Sequence, residues 1–158
     1  MDAPGYERHE ATLADLETAL ALRAAMTLEI EKKNPDGAYP GWRDRFLTFF
    51  RTRMPVGEAA VFLARSGEKV VGLACVYKQQ THRTEIFLNK IAYITSVYVT
   101  PDRRRQGIAT ALTRACIDWA RLAGCRMVRL GASDMGLPMY LGMGFRPSNV
   151  LEMRLTSD

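Results

Sequence analysis

The sequence predicts a mixed α/β (α+β) fold, a mostly antiparallel central sheet flanked by helices, with residues 1–158 forming one domain. Three observations predict it. Two apolar runs, Ala60–Ala64 and Val70–Tyr77, flank Ser66-Gly67-Glu68, which is the composition of a β-hairpin and therefore of antiparallel pairing. Apolar residues recur at helical spacing both before that hairpin and after residue 107. A strand-like run, a helical run and a second strand-like run then succeed one another between Ile91 and Leu130, as in a strand–helix–strand unit.

Taken in order, Tyr6–Ala11 reads as a short first strand. Thr12 stands at an N-cap position, and Asp15 three residues on can close a capping box. Leu13, Leu16, Leu20, Arg23 and Thr27, with Ala24 and Leu28, make the stripe of an amphipathic helix to about Lys32. Asn34-Pro35-Asp36-Gly37 ends it with turn chemistry. Trp42, Phe46, Phe49 and Phe50 repeat at helical spacing, giving a second helix whose aromatic face belongs to the core or lines a cleft. After the hairpin, Ile91–Val99 is rich in β-branched and aromatic residues, as a strand requires. A helix runs from Gly107 to about Ala123, buries Ile108, Leu112, Ala115, Cys116 and Trp119, and stops at Gly124. Met127–Leu130 is a short strand, Leu137–Met143 a short helix, and Glu152–Leu155 a closing strand.

Composition narrows the function classes. With 47% hydrophobic and 25% charged residues, the chain has the balance of a globular protein. No apolar run reaches the roughly 18–20 residues of a membrane span, and the first residues do not resemble a secretion signal. A cytoplasmic location and no membrane partner are therefore expected. Cys75, Cys116 and Cys125 are odd in number and lack CxxC spacing, and His9 and His82 lie far apart, so no metal site is expected. The net charge of +5 favours an anionic ligand. Nucleic acid is not expected, because no spread basic stripe or base-stacking motif accompanies the charge.

The densest basic run lies in Val97-Tyr98-Val99-Thr100-Pro101-Asp102-Arg103-Arg104-Arg105-Gln106-Gly107-Ile108-Ala109. Here a strand feeds a basic turn, and the turn feeds a helix. The first N–H groups of a helix lack intrahelical partners and carry the positive end of its dipole, so they stabilise an anion. Gly107 and Ala109 keep side chains small where phosphate oxygens would approach. The spacing fits neither a P-loop nor a dinucleotide fingerprint. A second segment, Ser133–Phe145, follows the next strand and holds Tyr140 on a short helix. Its phenol is either a core group or a weak acid facing a leaving thiolate.

Together these segments resemble the GNAT superfamily of acyl-CoA-dependent N-acyltransferases. Arg104-Arg105-Gln106-Gly107-Ile108-Ala109 is similar to that family's Arg/Gln-x-x-Gly-x-Gly/Ala phosphate motif, and Met139-Tyr140-Leu141-Gly142-Met143-Gly144-Phe145 to its Leu-Tyr-x-x-x-Gly-Phe signature. The resemblance is strongest from Ile94 to Phe145. It implies a GNAT-like fold and an N-acetyltransferase using acetyl-CoA as acyl donor, without a metal.

By position, the resemblance gives the backbone of Val97 and Val99 to the pantetheine arm. The amides of Arg105, Gln106, Gly107, Ile108, Ala109 and Thr110, with the side chains of Arg104 and Arg105, would hold the pyrophosphate. Arg103 would reach the 3′-phosphate or stay in solvent, Ser133 would contact the pantetheine, and Tyr140 would protonate the CoA thiolate. Many relatives carry a glutamate base on the strand matching Ala92–Val99, and this stretch has no Glu, Asp or His. The remaining candidates are water held by Thr95, Ser96 or backbone carbonyls, Glu29, and Glu85. The expected acceptor is a primary amine of a small molecule, and Glu29, Glu31, Asp36 and Asp44 would suit a cationic one. A protein amine as acceptor, or a non-catalytic acyl-CoA-binding domain, are the alternatives. Many relatives dimerise, so a homodimer is among the partners to test.

Overall fold

The structure is a computed structural model that describes residues 5–84 and 90–157. Its elements are β1 (Glu7–Glu10), α1 (Leu16–Glu31), α2 (Pro35–Ala38), α3 (Trp42–Arg53), β2 (Ala59–Ser66), β3 (Lys69–Lys78), β4 (Ile91–Val99), α4 (Ile108–Leu122), β5 (Met127–Leu130) and α5 (Leu137–Gly142). The five strands form one sheet in sequence order. β1, β2, β3 and β4 pair antiparallel in turn, and β4 and β5 pair parallel across the α4 crossover. This is the mixed sheet with flanking helices that the sequence predicts.

The central strands are covered on both faces, which is why β2 and β3 read as continuous apolar runs instead of alternating ones. On one face Phe62, Ala64, Ala74, Val76 and Ile94 pack against Ile108, Leu112, Ala115 and Cys116 of α4. On the other, Val61, Leu63, Leu73 and Cys75 meet Leu16, Ala19 and Leu20 of α1 and Leu47 and Phe50 of α3. Helix α4 lies close to the sheet at Gly72, where an added Cβ would come within 2.9 Å of Leu112 Cδ1 and 3.2 Å of Ala64 Cβ.

The capping box forms as expected: the Thr12 amide donates to the Asp15 carboxylate at 2.8 Å, starting a turn that leads into α1. Lys32, at φ 57°, ends that helix in the left-handed region. Three expectations need correction. Leu13 and Leu28 are 47% and 57% exposed, so the buried stripe of α1 runs instead through Leu16, Ala19, Leu20, Leu22 and Thr27. Asn34–Gly37 does more than stop a helix: the Asn34 side chain accepts from the Asp36 amide at 3.0 Å and caps the one-turn α2. The closing strand over Glu152–Leu155 does not form, and residues 143–157 contain neither helix nor strand. Leu151, Met153 and Leu155 are 94%, 83% and 86% exposed, and a strand without a partner leaves its backbone to water.

Candidate active site

The site begins with a defect in β4. Leu73 pairs with Tyr98 and Cys75 with Thr95, so two steps along β3 oppose three along β4. The extra residue is a β-bulge, and Ser96 takes a φ of 56° there. The bulge reverses the alternation: Tyr98 joins the α1 side of the sheet, and Val97 and Val99 join the α4 side.

Pairing with β5 covers only Ile91–Ile94, so beyond Ile94 the two parallel strands part. The Thr100 amide donates to the Val71 carbonyl at 2.9 Å. By the alternation of a strand, the amides of Val97 and Val99 therefore face the other way, toward the gap. A parted strand edge with free main-chain groups is a surface along which an extended, amide-containing arm can add.

At the end of β4 the chain turns into α4. Arg105 has a φ of 60° and Gly107, the N-cap of α4, a φ of 81°. A Cβ placed on Gly107 would meet no atom within 4 Å, so the space outside the turn is open. The first intrahelical donor is the Ala111 amide, bonded to the Gly107 carbonyl at 3.0 Å. The amides of Ile108, Ala109 and Thr110 precede it and have no helical partner. These amides stand at the positive end of a 15-residue helix.

The three consecutive arginines have different partners. Arg103 donates to the Gly5 carbonyl at 2.8 Å, to the Gln106 side chain at 3.0 Å, and to Ser66 Oγ. It therefore ties the turn to the β2–β3 hairpin and the N-terminal segment, and it occupies the side chain of Gln106. Arg104 donates through Nε to the Val99 carbonyl at 3.0 Å and through Nη2 to Glu29 of α1 at 2.5 Å. Its guanidinium carbon lies 5.7 Å from the centre of the Tyr98 ring. Arg105 is exposed, and no described residue hydrogen-bonds its side chain.

On α5, Tyr140 is 8% exposed, with the Phe145 ring edge-on at 5.7 Å. Its ring packs on Gly136, where a Cβ would come within 3.1 Å of it. No described residue hydrogen-bonds its hydroxyl. Burial, with a smaller effect of nearby Cys116, raises its pKa above the ordinary phenol value, so it holds its proton at neutral pH. Ser133 accepts from the Gly136 amide, 3.1 Å to its Oγ, and so turns the chain into α5.

Three of the four named carboxylates of the N-terminal helices, Glu29, Glu31 and Asp36, are already engaged, whereas Asp44 is exposed with no hydrogen bond or ion pair among the described residues. The hydrogen bond from Arg104 holds the Glu29 pKa below its usual value, against a smaller effect of burial. Asp36 receives bonds from Arg43 at 2.7 Å and Trp42 at 2.9 Å, and Glu31 accepts from the Tyr39 hydroxyl. Glu85 lies outside the described residues. Tyr98 was not anticipated; its position facing α1 follows from the bulge, for which the sequence carries no marker.

Amides free of helical partners at the mouth of two parting parallel strands define an α/β protein with a donor-lined opening at the ends of its strands. Residues 23–145 match the Acetyltransferase (GNAT) family, and the chain belongs to that family. It is 26% identical over 91 residues to an aminoglycoside N(6′)-acetyltransferase type 1 of Klebsiella aerogenes, covering 58% of this chain and 59% of that protein. It is 31% identical over 108 residues to an uncharacterized N-acetyltransferase of Methanocaldococcus jannaschii, covering 66% of this chain and 46% of that one. The chain thus spans about half the length of these curated relatives. Among solved structures, a predicted acetyltransferase of Clostridium acetobutylicum with acetyl-CoA superposes with a TM-score of 0.80 at 21% identity, covering 95% of this chain and 96% of the other.

Proposed function

We propose that the protein is an N-acetyltransferase that passes an acetyl group from acetyl-CoA to a primary amine of a small-molecule acceptor, directly, in a ternary complex. The observation that carries this reading is the set of unpartnered amides around Gly107, open to solvent where β4 and β5 part. Those donors suit a pyrophosphate, and the outward amides of Val97 and Val99 suit the pantetheine. Arg105 adds a free cation beside the same turn. The C. acetobutylicum neighbour, solved with acetyl-CoA, supports the donor. The Klebsiella relative, named for aminoglycoside N(6′)-acetylation, supports a small amine as acceptor.

In the reaction, the neutral amine nitrogen attacks the thioester carbonyl carbon, and the C–S bond breaks as the amide forms. The departing thiolate takes the Tyr140 proton, and the amine's surplus proton leaves to water; solvent then reprotonates the phenolate. Direct transfer is favoured over a cysteinyl intermediate because Cys75 and Cys116 are fully buried, and burial pushes the Cys75 thiol up to about 12. No carboxylate stands on β4, and Glu29 is held by Arg104, so water near exposed Thr95 is the proton acceptor of choice. An amine that reaches the site uncharged needs little more.

The test is thiol release from acetyl-CoA across a panel of aminoglycosides, polyamines, amino-acid derivatives and peptides, with melting curves run beside it. A raised melting temperature with acetyl-CoA and turnover on a small amine are expected. No thermal shift at millimolar acetyl-CoA would remove the donor site. A shift without turnover on any amine would make the protein a non-catalytic acyl-CoA-binding domain.

A further inference from the structure

One face of the sheet stays open beside the point where β4 and β5 part. Val128 and Leu130 pack into the α4-side core, so Arg129 between them turns to the α1 side. The register sets Tyr77, Tyr93 and Arg129 abreast across β3, β4 and β5 on that side. The Tyr77 and Tyr93 rings stack at 5.8 Å, and Phe49 of α3 stands edge-on to Tyr77 at 5.3 Å. The β5 end of this row is not covered. Thr95 is exposed there, and Tyr93 and Arg129 are only half-buried.

The charge of this face is unmatched. Arg129 Nε is shut off from solvent with no hydrogen-bond partner, a costly state for a donor on a charged group. At the far end of the row, the Arg53 guanidinium carbon lies 4.3 Å from the centre of the Phe49 ring. Lys78, next along β3, is paired with Glu58 at 3.8 Å. β3, β4 and β5 contain no acid, and the one acid of α3, Asp44, sits at the opposite end of that helix from Arg53. An amine bound here meets rings and cations, with no carboxylate on these four elements to hold a second ammonium. An acid group on the ligand would relieve the unpartnered donor. A guanidinium suits it, because the planar fork grips a carboxylate with two parallel N–H bonds.

We infer that Arg129 selects the acceptor by binding a carboxylate on the incoming amine. The substrates are then amines of the amino-acid type, with an apolar or aromatic portion laid on the Tyr77–Tyr93 pair. This rests on the acetyl transfer proposed above and adds the class of acceptor to it. Strand geometry sets the scale. Thr95 lies one strand across and two residues along from Arg129, about 8 Å between Cα atoms. An arginine side chain spans most of that interval. A carboxylate held by Arg129 therefore leaves the neighbouring amine beside Thr95, at the parting of the strands, where the thioester is proposed to arrive.

The experiment measures thiol release with phenylalanine and leucine, each against its primary amide, and their binding to the CoA-loaded chain by calorimetry. The amide lacks the acid and its amine is less basic, so the decisive quantity is how the acid-to-amide ratio changes from wild type to Arg129→Gln. That ratio, in kcat/KM and in affinity, should fall at least about tenfold, through KM for the acids. Arg129→Lys keeps the charge without the fork and should fall in between. Melting curves check that the variants fold; if Arg129→Gln does not, Arg129→Lys against wild type decides. An unchanged ratio in a folded variant, or a wild type with no affinity for either acid, would overturn the inference. Binding with the expected ratio but no turnover would uphold the carboxylate site and sink the transfer reaction instead.

Discussion

The turn that ends β4 and the helices packed on the α1 side of the sheet handle charge in opposite ways. In the turn, the amides that open α4 have no helical partner, while Arg103 and Arg104 are tied to the hairpin, to Val99 and to Glu29. In α1 to α3 the main chain is satisfied within helices, and the carboxylates of Glu29, Glu31 and Asp36 are taken up by Arg104, Tyr39 and Arg43. The difference teaches where recognition resides. A site made of amides depends on backbone shape, and so on a few glycine and spacing requirements. A site made of side chains depends on which partners the fold brings together. The negative charge of the N-terminal helices is largely internal pairing, which removes most of the case for a strongly cationic acceptor.

The largest expected effect comes from altering the backbone of the turn. Gly107 sits at φ 81° with open space beyond it. A valine there would adopt a strained conformation costing about 1–3 kcal/mol and would place its methyl groups where the phosphates are proposed to lie. Gly107→Val should weaken acetyl-CoA binding at least about a hundredfold by calorimetry, since each 1.4 kcal/mol is tenfold. Unchanged affinity would show that the amides at the start of α4 do not hold the coenzyme.

Next is Tyr140 on α5. Tyr140→Phe keeps the packing on Gly136 and Phe145 and removes only the hydroxyl. Turnover should fall about a hundredfold with little change in coenzyme affinity, the size expected for loss of a general acid. The Tyr140 pKa is raised above 10.0, and a general acid works below its pKa. The wild-type rate should therefore show no alkaline decline from this group until pH passes 10.0. Equal kcat in the variant would make Tyr140 a packing residue.

The contrast also explains what could be read from the sequence. The turn and the helix start at Gly107 were legible because the glycine, the basic run and the helix after it are contiguous and their chemistry is local. The hairpin and α4 were legible because continuous apolar runs and helical spacing reflect burial directly. Leu13 and Leu28 misled because periodicity marks an apolar stripe without saying which part of it meets the sheet. The bulge at Ser96 and the bond from Arg104 to Glu29 have no local signature; the partners are 75 residues apart and meet only once α1 lies over β4. Glu152–Leu155 does have a strand pattern, but a pattern cannot say whether an edge is within reach.

A smaller effect should follow from parting that long-range pair. Glu29→Gln removes the carboxylate that holds Arg104, so the turn loses its tether to α1. A several-fold rise in KM for acetyl-CoA is expected, with kcat nearly unchanged. The pair also gives a pH signature. The folded-state pKa of Glu29 lies below its ordinary value of 4.5, so its stabilisation is present above 4.5 and is lost as pH falls through the lowered value. The wild type should lose melting temperature over that acid range more steeply than the variant. Identical acid limbs would show that the pair contributes nothing to stability.

The smallest effect separates neighbours in the basic triplet. Arg105 is exposed with no hydrogen-bond partner among the described residues, whereas Arg103 bridges Gly5, Ser66 and Gln106. Removing an exposed cation near a bound anion costs about 0.2–1 kcal/mol. Arg105→Ala should therefore weaken acetyl-CoA binding by at most about fivefold at low salt, fading as ionic strength screens the contact, and leave the melting temperature alone. Arg103→Ala should do the reverse, lowering the melting temperature with a smaller change in affinity. If Arg103→Ala weakened binding more than Arg105→Ala at equal stability, the free cation of the turn would be the first arginine, and the division between structural and ligand-facing charge would have to be redrawn.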